Sequence, residues 1–139
     1  VNFEIIKLRQ KVLVKNIIKT LIEILAKSSS QSYAVIILNN IMKKIGEKYD
    51  FINEINIDSI NISDGIDAIK VPDDFHKIRP SELGRSLQRL MEKVSTSLGD
   101  EAGSTFLDSF KARLGKAYLL RMEEIGVNLH MIELKRNFL

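Results

Sequence analysis

The sequence predicts an α+β fold, predominantly α, built as a single domain over residues 1–139. Three observations carry that expectation. Apolar residues recur at helical spacing through four long segments. The spacing switches to alternation only near the middle, at Ile55-Asn56-Ile57 and Ile60-Asn61-Ile62. Finally, 139 residues with 45% apolar and 28% charged side chains suit one globular core that needs no disulfide or metal.

The first helix is expected over about 2–27, a stretch free of glycine and proline. Within it Val14, Ile18, Leu21 and Leu25 follow the 4-3-4 spacing of a coiled-coil seam. Ile6, Leu13, Ile17 and Ile24 form a second seam beside it, and Ile5, Leu8 and Val12 point elsewhere. A helix apolar on several sides is buried on several sides. In a domain this small, one of those sides is a candidate face for a second copy of the chain. Ser28-Ser29-Ser30-Gln31-Ser32 breaks the pattern and supplies N-caps. A second helix follows over about 33–48, with Val35, Leu38, Ile41, Met42 and Ile45 as its stripe and Lys43, Lys44 and Lys48 near its end, where cations suit the helix dipole.

A β-hairpin or three-strand meander is expected over about 52–71, turning at Asp58-Ser59 and at Asp64-Gly65. Pro72 to Pro80 reads as a loop. Ser81 is placed as the cap of a third helix over about 81–98, whose Leu83, Leu87, Leu90, Met91, Val94 and Leu98 share one face, and Gly99 as its C-cap. A fourth helix is expected over about 100–125, weakened by Gly103 and Gly115. The tail, 127–139, fits either an edge strand or a short helix.

Composition narrows the chemistry. The chain has no cysteine, which removes disulfides, thiolate metal sites and cysteine nucleophiles, and points to a reducing, cytoplasmic setting. It has no tryptophan. The most apolar run, Ile17 to Ala26, is interrupted by Lys19 and Glu23 and falls short of a membrane span, and cations in the first residues spoil a signal peptide. Only His76 and His130 are present as histidines. A metal site from Asp73, Asp74 and His76 is conceivable by ligand type, but neighbours so close in sequence wrap one ion poorly, and a solvated acidic loop explains them better. Asp58 to Asp67 fails the calcium-loop pattern because Ile60 and Ile62 occupy ligand positions. Nucleophile-elbow, phosphate-loop and dinucleotide glycine patterns are missing. No catalytic residue, metal site or cofactor is assigned, and a non-enzymatic role is favoured.

Charge is laid out unevenly. Residues 1–27 hold six cations against two anions, and residues 50–74 hold seven anions against Lys70. Lys7, Lys11, Lys15 and Lys19 recur every fourth position as a ridge on the first helix, which makes them candidate anion-binding residues. Nucleic acid would fit such a ridge. Pairing with the chain's own acidic segment, or plain solvation, ranks above it, because the net charge is only +3 and no groove-reading motif occurs. The expectation is therefore a regulatory or protein-interaction module, homodimeric through Val14, Ile18, Leu21 and Leu25, with a protein partner as a further candidate. A nucleic-acid-binding protein using the lysine ridge is the first rival. A small-molecule or cofactor sensor touching His130 or His76 is the second.

Overall fold

In a computed structural model, the chain forms a mostly helical fold with one small antiparallel sheet, described here for the backbone of residues 3–138 and the side chains of residues 10–136. The first helix, α1 (Phe3–Ala26), is the axis of the fold. From Gln10 to Ala26 every residue is at least half-buried, and only long charged side chains such as Lys19 and Glu23 reach well into water. The reason is visible in the sequence: apolar residues occur on every side of this helix, and each side finds a cover. α2 (Gln31–Gly46) lies along it, α5 (Phe106–Leu114) covers another side, and the short 3-10 helix Asp73–Lys77 crosses it. Polar groups on α1 are paired as burial demands. Gln10 donates from Nε2 to the carbonyl of Phe75 at 2.6 Å and to that of Ile78 at 3.3 Å. Thr20 donates back to the carbonyl of Asn16 at 2.8 Å.

Ser30 is the N-cap of α2, its hydroxyl accepting from the amide of Tyr33 at 3.2 Å. The helix therefore starts two residues before the expected Tyr33. α3 (Pro80–Ser97) carries the expected stripe: Leu83, Leu87, Leu90, Met91 and Val94 are all buried against α2 and α7 (Leu129–Phe138). Its ends differ from expectation. Ser81 lies inside the helix rather than capping it, because Pro80 at the first helical position supplies the fixed φ a helix start favours. Gly99 is not a left-handed C-cap, since its φ is −67°. The last carbonyls of α3 are met instead by a side chain from the far end of the chain. Arg136 donates to the carbonyls of Ser95, Leu98 and Gly99, the last at 2.9 Å.

The expected fourth helix is three pieces: α4 (Asp100–Ser104), α5 and α6 (Lys116–Glu124). Gly115, at φ 94°, breaks the chain between α5 and α6 in a conformation that side chains disfavour. The breaks let Phe106, Phe110 and Met122 all reach the core. The ambiguous tail is the helix α7, with Ile132 buried. Gly84 marks a close backbone approach, since a Cβ there would overlap the carbonyl group of Ile125.

The β element is smaller than expected. β1 (Asn56–Ile57) pairs antiparallel with β2 (Ile69–Lys70), in register Asn56 with Lys70 and Ile57 with Ile69. The segment Ile60-Asn61-Ile62 does not form a strand. Asp58 takes the amides of Ile60 and Asn61 onto its Oδ1, at 3.1 and 3.2 Å, so the backbone turns where a ladder would have begun. A 3-10 stretch, Ile62–Ala68, kinked at Gly65, then returns the chain to β2.

Candidate functional site

The four seam residues are placed first. Val14, Ile18, Leu21 and Leu25 are all buried within the single chain, the first three with no exposed surface and Leu25 with 3%. Their surface is covered by this chain's own elements. The expectation that they form a face for a second copy is therefore corrected: the extra apolar sides of α1 are explained by its central position.

The lysine ridge runs along the side of α1 that meets the acidic middle segment. Lys11 forms an ion pair with Asp73. Lys19 reaches Glu23 on its own helix at 3.5 Å, and its Cε lies 3.8 Å from where a Cβ on Gly65 would be. Lys15 is half-buried, with no ion-pair partner among the described residues. Lys7 lies outside the described side chains. Two of the three described lysines thus have carboxylate partners in this chain. Such partly exposed pairs each contribute at most about 1 kcal/mol.

Neither histidine gathers a ligand set. His76 is half-buried, its Nδ1 3.1 Å from the carbonyl of Asp73. His130 is exposed on a shallow groove with Lys111, Lys116 and Glu123. Among the described residues no three His, Cys, Asp or Glu side chains converge as metal ligands, and no helix is long and apolar enough to cross a membrane. The Asp58 carboxyl is held below its ordinary value, first by the side-chain hydrogen bond from Asn61 Nδ2 at 2.8 Å and then by the backbone amides it accepts. It is a turn-forming group.

Two of the exposed large apolar side chains lie together on α2. Val35, Leu38, Met42 and Ile45 face inward, and the opposite side carries Tyr33, Ile36, Ile37, Asn40, Lys43 and Lys44, at i, i+3, i+4, i+7, i+10 and i+11. Tyr33 is 54% exposed and Ile36 is 55% exposed. Beside them a groove of about 740 Å³ separates the start of α2 from the α3–α4 junction. Leu25, Ile37 and Leu98 form its apolar part, and Asp100 and Glu101 stand on its rim. Sequence reading passed over this surface because the inward stripe of α2 is stronger. The signal was nonetheless there, in the two isoleucines that follow Val35, because one side of a helix cannot bury three successive side chains.

Ile60, 90% exposed, stands alone at the tip of the Asp58 turn. Leu120 and Met131 are 50% and 39% exposed. No family model, no curated protein and no solved structure matches this chain.

Proposed function

We propose that this protein is a non-catalytic interaction module that works by docking, through the outer face of α2 and the adjoining groove, against another folded chain. The observation that carries the reading is the half-exposed pair Tyr33 and Ile36, beside the half-buried Ile37 and Leu98. Aromatic and branched side chains beside a polar rim are the usual makings of a protein-binding patch. The groove is bordered by serines and acids, and its apolar floor suits side chains from a partner better than a small polar substrate. A regulatory role in a reducing, cytoplasmic compartment agrees with the cysteine-free composition.

The test is Ile36→Asp. The side chain is exposed enough that the fold tolerates the charge, so unfolding should be nearly unchanged. Association, measured by sedimentation velocity and by retention of partners on immobilised protein, should fall sharply. Identical association by wild type and Ile36→Asp in both assays would refute the reading.

A further inference from the structure

We propose that the occupant of the α2 face is a second copy of this chain, docked with the two α2 helices antiparallel about a two-fold axis. This rests on the interaction-module reading above and deepens it by naming the partner. The argument comes from charge. Lys43 and Lys44 sit at one end of the exposed face of α2, and neither has an ion-pair partner among the described residues. At the other end, beside Tyr33, stand Asp100 and Glu101 on the rim of the groove, equally without one. Tyr33 and Lys44 are separated by eleven residues, about 16 Å along the helix. The two charge groups therefore do not meet within one chain.

A two-fold contact is self-complementary: whatever residue i touches, its symmetry mate touches in return. An antiparallel pair of α2 helices centred between Ile37 and Asn40 brings Lys44 of one copy to the end of the other that carries Glu101, and does so twice. Between those charge pairs, Ile37 of each copy lies across from Asn40 of its mate, Ile36 across from the half-buried Ile41, and Tyr33 across from Lys44. A parallel arrangement would place lysines on lysines and acids on acids. The surface is small for a stable interface, so the dimer is a weak one, of micromolar affinity.

The experiment uses two variants of the whole chain, Lys44→Glu and Glu101→Lys, studied alone and mixed. Alone, each should bring like charges together at both symmetry-related contacts and weaken self-association by roughly tenfold. Mixed in equal amounts, the two should form a one-to-one heterodimer, because both contacts in that pair are again opposite in charge. Native mass spectrometry separates the heterodimer once one variant carries heavy isotope, and circular dichroism confirms that both variants are folded. Added salt should weaken the wild-type dimer and the mixed dimer alike. A wild-type chain that stays monomeric from micromolar to millimolar concentration would overturn the proposal, even if Ile36→Asp then abolished binding to some different protein, in which case the interaction-module reading survives. A wild-type dimer unchanged by either substitution would equally overturn it and place self-association on another face. Failure of the mixture to dimerise, with both variants folded, would rule out the antiparallel geometry.

Discussion

Ile18→Ala should unfold the chain more easily without regard to protein concentration. Ile18 has no exposed surface and lies midway along α1, a helix covered on several sides by other elements. Truncating a buried isoleucine to alanine costs about 2–5 kcal/mol, through lost transfer free energy and the cavity left behind. Elements on opposite sides of α1 hold the walls of that cavity apart, so little collapse is available and about 3–4 kcal/mol is expected. Against a total stability of about 5–15 kcal/mol that is a large fraction. In a chain of this size it should lower the melting temperature by about 10–15 °C. Urea denaturation followed by circular dichroism gives the midpoint, and repeating it over a hundredfold range of protein concentration gives the decisive comparison. If α1 is monomer core, the loss is the same at every concentration and the denaturant slope is unchanged. The contrast is Ile36→Ala, at a site 55% exposed, which should change stability by less than about 0.5 kcal/mol. An Ile18→Ala chain with a wild-type midpoint and lost self-association would refute the reasoning and return the seam to an interface.

Gly84→Ala should destabilise by about 1–3 kcal/mol despite the roughly 1 kcal/mol that alanine gains over glycine inside a helix. The added methyl would overlap the Ile125 carbonyl group, approaching its carbon to 2.8 Å, and backbone cannot swing aside as a side chain can. Thermal unfolding decides it, and a variant at least as stable as wild type would show that α3 and the end of α6 do not approach so closely. Arg136→Ala should cost about 1 kcal/mol, since it removes the guanidinium's hydrogen bonds to the carbonyls of Ser95, Leu98 and Gly99, of which the first and last keep an amide donor, from Leu98 and Gly103. Amide exchange in α7 should quicken, and Arg136→Lys should restore little because a lysine cannot reproduce the planar fork.

Much of this architecture is written in residue spacing. The stripe of α3 and the apolar girth of α1 fix which faces turn inward, and both emerge as expected. Three features resist such reading, each for its own physical reason. The termination of α3 depends on Arg136, nearly forty residues away, while Gly99 looks like a sufficient cap by itself. The alternation Ile60-Asn61-Ile62 imitates a strand, yet the carboxylate of Asp58 captures its amides locally and the ladder never extends. The many-sided apolar surface of α1 reads equally well as an interface or as a central position, because periodicity reports that a side is covered and says nothing of which chain covers it. The outer face of α2 was legible in Ile36 and Ile37, but two residues off a strong stripe are easily taken for ordinary surface.

The central position of α1 has a consequence for how the protein is made. The helix leaves the ribosome first among the described elements, while one of its covers, α5, ends at Leu114, almost ninety residues after Ala26. At about 5–20 residues per second, the nascent helix waits roughly 4–18 s with part of its apolar girth uncovered. Over that interval its natural companions are other nascent copies or a chaperone, and newly made protein should depend on chaperone capacity far more than the finished fold does.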